Sequence, residues 1–309
     1  MKKKKIIISG ASGFIGKHLI ASIPNNSFRI YKISRYKTDS NMNELIIPDI
    51  NEKVLWKDHL NDTKYIIHLA ACAHISNKDV TALNKFRTLN TRGTLHFAKE
   101  AALAGVKRFI FISSIGVNGT YSTIPFKNTD TPQPTEAYSV SKLDAEIGLR
   151  KISKQSGMEI VIIRPPLVYG PNAPGNFGKL IKLINSKLPL PLGAIHNKRS
   201  LVALDNLVDL IVTCIEHPKA ANQTFLVSDD ADVSTTELLQ KMAEAMGKKA
   251  WLLPIPESWL RVCAKIVGKE DIISRLCGSL QVDIQHTKDT LNWHPPVTMS
   301  EQLAKIFPI

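Results

Sequence analysis

Tyr138 and Lys142 stand four residues apart in the segment AYSVSK. On a helix that spacing stacks the two side chains on one face. A phenol with an ordinary pKa of ~10 is a poor acid–base group at neutral pH, and a neighbouring ammonium stabilises its anion and lowers that value. The pair thus has the chemistry of a proton-transfer couple, and the lysine can also hold a ribose hydroxyl. Alone, the spacing equally describes two helix-surface neighbours, so its position supplies the meaning. Upstream, the β-branched run Arg108–Ser113 closes on Ser113-Ser114 before a glycine-containing loop. This presents a hydroxyl at the carboxyl edge of a sheet, where ligands bind in open α/β folds. That hydroxyl can hydrogen-bond a carbonyl or alkoxide oxygen as hydride arrives or leaves. Serines at strand ends are also common turn formers.

A third group of residues opens the chain. IIISGASGFIGKHLI runs from an apolar strand through Gly10, Gly13 and Gly16 into an amphipathic helix, the context in which a glycine motif becomes a phosphate cradle. Glycines let the backbone turn tightly against a pyrophosphate, and the helix start offers free N–H groups and a positive dipole end. The spacing is GxxGxxG rather than GxGxxG. Ser12, Phe14 and Ile15 share this turn, and the ligand it predicts is a dinucleotide. About 20 residues on, an acidic residue would hold the ribose 2′-hydroxyl of NAD. Here stand Ser34 and Arg35, and an arginine without a nearby carboxylate suits a 2′-phosphate. NADP(H) is therefore the preferred cofactor, with NAD(H) the other choice and a solvated Arg35 the plain reading. Asp49, just after ELIIP, can bond an adenine amino group or close a turn.

The elements that must position these groups follow from the apolar pattern. Short β-branched runs alternate with helical stretches, as in a parallel sheet covered on both faces. Strands are expected at Lys5–Ser9, Arg29–Ser34, Tyr65–Leu69, Arg108–Ser113 and Glu159–Arg164, with helices at Gly16–Ile23, Asn90–Ala104 and Tyr138–Ser156. After Arg164, PPLVYGPNAPGN and LPLPLG mark loops. A strand and helix over Leu201–Glu216 and a strand over Gln223–Ser228 return the chain to the first sheet. Ser234-Thr-Thr-Glu reads as a capping box. The fold class is α/β: a doubly wound parallel, Rossmann-type sheet with a smaller, mainly helical C-terminal substrate lobe. The dinucleotide domain takes residues 1–165 and 204–228, and the lobe 166–203 and 229–309. Within the lobe, Leu252–Val267 reads as a buried helix rather than one that touches a membrane.

Composition narrows the classes. The 309 residues are 44% hydrophobic and 22% charged, a globular balance that sets aside disorder and fibre. No run reaches the roughly 18 apolar residues that span a bilayer. The apolar block after MKKKK is too short for a signal peptide, so a cytoplasmic protein without stable membrane insertion is expected. Cys72, Cys214, Cys263 and Cys277 form neither a CxxC nor a Cys/His cluster, so no metal and no disulfide framework is expected. A net charge of +13 favours anionic partners. With 6% aromatic residues and lysines dispersed apart from Lys2–Lys5, nucleic acid is not the expected one.

In order and spacing, GASGFIG, Asp49-Ile50, HLAA at 68–71, NTRGT at 90–94, SSIGVNG at 113–119, YSVSK at 138–142, RPPLVYGP at 164–171 and RSLVALDN at 199–206 resemble the extended short-chain dehydrogenase/reductase family, in its nucleotide-sugar branch. The resemblance spans nearly the whole chain. It implies Ser114, Tyr138 and Lys142 as the catalytic set. It also implies that Ile50, Leu69, Ala70, Ala71, Asn90 and Pro165 line the cofactor with His68. A UDP-sugar substrate would be gripped by Asn176, Phe177, Arg199 and Arg275, the arginines serving the diphosphate. A homodimer is common in the family.

Three reactions share this scaffold. The family's 4,6-dehydratases carry an Asp-Glu pair directly after the strand-end hydroxyl residue, and here Ile115 and Gly116 stand there, which disfavours dehydration. The absence of acid at Ser34-Arg35 places an NADPH-dependent 4-ketoreductase first. Its substrate would be a UDP-2-acetamido-2,6-dideoxy-4-keto-hexose of surface-polysaccharide synthesis. An NAD-dependent UDP-glucose or UDP-N-acetylglucosamine 4-epimerase comes second, and a non-catalytic NADP sensor last, because it would need neither the serine, the tyrosine nor the lysine.

Overall fold

A computed structural model describes residues 2–37, 43–72, 81–186, 188–266 and 268–308. β1 (Lys4–Ser9) enters the glycine turn and α1 (Phe14–Ser22); β2 (Phe28–Ser34), β3 (Asn43–Ile46) and β4 (Thr63–His68) follow. A short α2 (Ala82–Phe86) runs through a π-helical turn over Arg87–Gly93 into α3 (Thr94–Leu103), then β5 (Arg108–Ile112), α4 (Ala137–Ser156) and β6 (Glu159–Arg164). Beyond lie β7 (Leu167–Tyr169), α5 (Asn176–Asn185), β8 (Leu201–Ala203), α6 (Leu204–Glu216) and β9 (Thr224–Leu226). The chain closes with α7 (Thr235–Ala245), α8 (Glu257–Ile266), α9 (Glu270–Cys277), α10 (Gln285–Leu291) and α11 (Met299–Ile306).

Seven strands form one sheet in the order β3-β2-β1-β4-β5-β6-β9, every pair parallel. This is the expected doubly wound, Rossmann-type sheet. The strands read as unbroken apolar runs because both faces are covered. In β1, Ile6 and Ile8 join Ile67, Ile110 and Val161 under α1 and α6, whereas Ile7 joins Ile66, Phe109, Phe111 and Trp56 under α3 and α4. Strand order reverses between β1 and β4, the switch point where such sheets bind ligands.

Several expectations shift in detail. The predicted helix from Asn90 begins earlier and takes its wide turn over Arg87–Gly93. Its polar side chains explain the turn: Thr91 Oγ1 donates to the Ser141 carbonyl at 2.8 Å, and Asn90 bonds in two directions. The strand at Leu201 pairs with β7 in a separate two-stranded sheet, so only β9 returns to the main one, beside β6. The Ser234 capping box forms, with Ser234 Oγ accepting the Glu237 N–H at 3.0 Å and Glu237 Oε2 accepting the Ser234 N–H at 2.7 Å; such a cap is worth about 1 kcal/mol.

The lobe has its own core of Tyr169, Phe177, Leu239, Met242 and Leu303. The expected buried helix of Leu252–Val267 is corrected. It starts at Glu257 and buries only Leu260 and Ala264, leaving Trp259, Val262 and Ile266 in solvent, while Val267 lies outside the described residues. A helix can bury a narrow stripe when only one neighbour packs on it, and α9 is the element that packs here.

Candidate active site

The glycine turn is shaped by close approach. Gly10 has φ +70°, and a Cβ there would lie 2.7 Å from the Ala70 nitrogen. One on Gly16 would meet the Gly10 carbonyl oxygen at 2.3 Å. Gly13 is the first residue of the α1 cap, and no side chain caps that helix, so the first-turn N–H groups of Phe14, Ile15 and Gly16 are left for an anion. Next to the turn is a cleft of about 480 Å³ lined by Gly10, Ser12, Gly13, Arg35, Asp49, Ile50, His68, Leu69, Ala70, Ala71 and Cys72. Of the predicted cofactor residues, Phe14, Ile15, Gly16, Ser34, Asn90, Tyr138, Lys142 and Pro165 are not on that lining. The shape fits a dinucleotide: a glycine cradle without room for side chains, a free helix start, and a cleft continuing past the ends of β2 and β4.

Asn90 is buried and acts on the cleft wall. Its Oδ1 accepts the Cys72 N–H at 2.8 Å, and its Nδ2 donates to the Cys72 carbonyl at 3.0 Å and to Ser141 Oγ at 3.2 Å. It thereby ties the 69–72 segment to α4. Pro165 is buried too, its carbonyl accepting the Ile115 N–H at 3.0 Å. His68 completes the wall from below. Its ring nitrogens meet Ser9 Oγ at 2.6 Å and Thr94 Oγ1 at 2.8 Å. Burial, and secondarily the charge of Lys142, pushes its pKa down to about 3, so the ring is neutral.

Ser113 and Ser114 have different surroundings. Ser113 Oγ donates to the buried Glu146 at 2.6 Å. Ser114 is half-buried, and its Oγ accepts the Gly116 N–H at 3.1 Å, leaving its proton for a ligand. Gly116 brings this hydroxyl toward α4: a Cβ on it would lie 3.4 Å from Ser114 Oγ and 2.3 Å from Ser139 Oγ. A dehydratase-type side chain at 116 would therefore collide with the residue after Tyr138.

Tyr138 and Lys142 lie in the first half of α4. Lys142 is buried, donates to the Ile112 carbonyl at 2.8 Å, and sits 4.4 Å from the Phe111 ring centre and 5.8 Å from that of Tyr138. Burial lowers its pKa to about 7, with Glu146 pulling the other way. The Tyr138 phenol differs from the sequence expectation. Burial, then the Cys72 thiol, pushes it up to about 12, while Lys142 donates to the Ile112 carbonyl.

Sequence reasoning missed the support beneath this pair. Glu146, one turn beyond Lys142, accepts two bonds from Arg164, at 2.9 and 2.5 Å, and one from Arg150 at 3.1 Å. Burial would raise its pKa, but Arg164 foremost, with Ser113 and Arg150, holds it below the usual carboxylate range. The spacing from Lys142 to Glu146 was the signal available.

On the lobe side, Arg199 and Arg275 come together. Arg199 Nη1 donates to the carbonyls of Arg275 and Gly278 at 2.8 and 3.0 Å, and no carboxylate faces it among the described residues. Arg275 Nη2 reaches Glu136 Oε1 at 2.7 Å, two residues before Tyr138. Asn176 is exposed at the start of α5, whereas the Phe177 ring is wholly buried 5.5 Å from that of Tyr169. Phe177 thus anchors the loop in the lobe core and leaves Asn176 as the accessible side chain. Among the described residues no group of three or more His, Cys, Asp or Glu could hold a metal ion.

A dinucleotide cradle, a serine hydroxyl and a half-buried tyrosine above a buried lysine are the equipment of an enzyme that moves hydride and a proton at one carbon–oxygen centre. The chain belongs to the NAD dependent epimerase/dehydratase family, whose model matches residues 6–228. It is 47% identical over 313 residues to the UDP-glucose 4-epimerase of Vibrio cholerae, covering 98% of this chain and 95% of that one. Among solved structures, UDP-N-acetylglucosamine 4-epimerase from Bacillus cereus superposes with a TM-score of 0.82 at 19% identity, over 99% of this chain and 98% of that one. UDP-glucuronic acid 4-epimerase from the same organism, in complex with NAD, gives 0.79 at 21% identity over 98% and 95%. The protein is an enzyme, and its cofactor is NAD(P).

Proposed function

We propose that the protein is a UDP-hexose 4-epimerase acting on UDP-glucose or UDP-N-acetylglucosamine. The observation that carries this reading is the full-length similarity, at 47% identity, to a relative named UDP-glucose 4-epimerase. It reverses the order reached from sequence, in which 4-keto reduction came first. Gly116 adds support, since a side chain there would press on Ser139 Oγ at 2.3 Å.

In this reading Tyr138 removes the proton of the sugar C4 hydroxyl while Ser114 donates to the same oxygen, and Lys142 stabilises the phenolate as a cation. When bound, the nicotinamide supplies hydride exchange at C4. Tyr138 then returns the proton to the 4-ketose after the sugar presents its other face. Arg199 and Arg275 receive the diphosphate; the half-buried Arg199, its described partners being carbonyls, keeps its charge for it. The lobe of residues 166–203 and 229–309 makes the substrate wall, with Asn176 at its loop.

The second reading is NADPH-dependent reduction of a 4-keto sugar, favoured by Arg35 on the cleft lining with Ser34 beside it. Purified protein is incubated with UDP-glucose and UDP-N-acetylglucosamine, and separately with the 4-keto-6-deoxy UDP sugar and NADPH. Interconversion of gluco and galacto forms without net cofactor use is expected; NADPH consumption restricted to the keto sugar overturns the epimerase. Tyr138→Phe lowers turnover by about a thousandfold and leaves dinucleotide binding intact.

A further inference from the structure

The face of the lobe built by α8 and the segment before it is left uncovered by the described residues. In α8, Trp259, Val262, Cys263 and Ile266 follow one another at helical spacing and all point to solvent, with Trp259, Val262 and Ile266 exposed by 69%, 60% and 79%. The stripe opposite, Leu260 and Ala264, is the one that packs inward. An amphipathic helix normally buries its apolar stripe and wets the other. This helix has a second apolar stripe. Trp251 and Leu253 are exposed as well, on the strand-like segment before α8, which is pinned to the lobe by Leu190 N–H to the Trp251 carbonyl and Leu253 N–H to the Leu190 carbonyl, both 2.7 Å. An apolar patch rimmed by polar groups marks an interaction surface.

Charge identifies the occupant. Under Trp251 a cavity of about 330 Å³ is walled by Ile184, Leu188 and Leu190 and edged by Lys248 and Lys249, with no carboxylate in its lining. Between α8 and α9 a second cavity of about 290 Å³ carries Arg261 and Lys265 against Glu270. Lys249, Lys265 and Lys269 have no carboxylate partner among the described side chains. Two exposed tryptophans among apolar residues, within a rim of lysines, are the components of a helix that lies in a membrane interface over anionic headgroups. A second copy seated symmetrically on this face would set these lysines against one another. We propose that this face docks the enzyme on an anionic phospholipid surface, with Trp251, Trp259 and Ile266 entering the interface and Lys248, Lys249 and Lys265 pairing with phosphates. The attachment is peripheral, as no described helix is long and apolar enough to cross a membrane.

The cofactor-loaded enzyme is sedimented with vesicles of equal parts phosphatidylglycerol and phosphatidylcholine, and with phosphatidylcholine alone, while tryptophan emission is recorded. Binding to the anionic vesicles only is expected, falling with added salt, together with a blue shift. Trp56 and Trp293 are already buried, so the shift reports the two exposed tryptophans. Lys249→Gln with Lys265→Gln lowers the partition coefficient about thirtyfold, and Trp259→Ser with Ile266→Ser abolishes the blue shift of Trp251, both without changing Tm. The lysine pair makes no core contact and remains a test should the apolar pair unfold. No binding to anionic vesicles overturns the proposal. So does binding that both variants leave intact, which assigns it to another surface such as Lys2–Lys5. A particle mass that falls in Trp259→Ser with Ile266→Ser, without vesicles, overturns it in favour of a second copy.

Discussion

The two sides of the candidate site are held by different means. On the sheet side the groups beneath Ser114 and Tyr138 rest on buried partners: His68 between Ser9 and Thr94, Lys142 on the Ile112 carbonyl, Ser113 on Glu146, and Glu146 on Arg164. On the lobe side, Arg275 meets Glu136 at the surface and Arg199 rests on carbonyls. Proton transfer depends on distances held to fractions of an ångström, which buried and satisfied networks provide. Grip on a charged ligand tolerates guanidinium groups that exchange one partner for another. If the proposed roles hold, the contrast means that the reaction is built into the sheet and the grip is hung on the lobe.

The sharpest way to break this comparison is to damage the buried side. Glu146→Gln leaves the Arg164 guanidinium, 2% exposed, without its charge partner, and loss of one member of a buried pair costs about 3–5 kcal/mol. Thermal unfolding of the variant should show a Tm lowered by roughly 6 °C or more, and an unchanged Tm would mean that the network supports nothing. Next in size is Lys142→Met. The lysine has its pKa lowered from 10.5 to about 7. Its depressed value makes the native state shed a proton that the unfolded chain keeps, so the stability linked to it is complete above the unfolded pKa and lost as pH falls through the folded one. Wild-type Tm should therefore rise between pH 7 and about 10. The methionine variant should lose that rise and gain about 4 °C at pH 7 while losing activity.

How these groups became readable differs along the chain. The parallel sheet was legible because strands buried on both faces cannot avoid continuous apolar runs, as in Ile6–Ile8 and Phe109–Ile112. The glycine turn, Ser114, Tyr138 and Lys142 were legible because backbone space and pairwise spacing are local properties. Glu146 with Arg164 was not, since the partners lie 18 residues apart and meet only once β6 runs beside β5. Nor could spacing separate the two stripes of α8, because both are apolar and only tertiary packing decides which one is covered. The Tyr138 pKa was misjudged for a related reason: desolvation depends on the folded surroundings, and local charge alone pointed the other way.

Smaller changes sharpen the comparison at its edges. Arg35 is exposed on the cleft lining, so it contributes through one charge and not through packing. If that charge serves a 2′-phosphate, Arg35→Ser raises the NADPH dissociation constant about tenfold, the value of one charge-assisted bond, and leaves that for NADH unchanged. Fluorescence titration with both cofactors measures the ratio, and equal effects on the two would show that Arg35 does not discriminate.

The smallest effect falls on the lobe. Glu136 and Arg275 have side chains exposed by 33% and 56%, and a pair so open to water is worth at most about 1 kcal/mol. Yet it joins α9 to the start of α4, and in the proposed reading an incoming diphosphate needs the same guanidinium. Glu136→Gln removes a competitor for Arg275 without removing the arginine. UDP should consequently bind about threefold more tightly, a gain below the full value of the pair because glutamine still accepts a hydrogen bond. Tm should stay within about 1 °C of the wild type, since an exposed pair contributes little to stability. Calorimetric titration with UDP separates this from the alternative in which Glu136 orients Arg275 for the ligand. In that case the variant binds UDP more weakly, and the lobe is as pre-organised as the sheet.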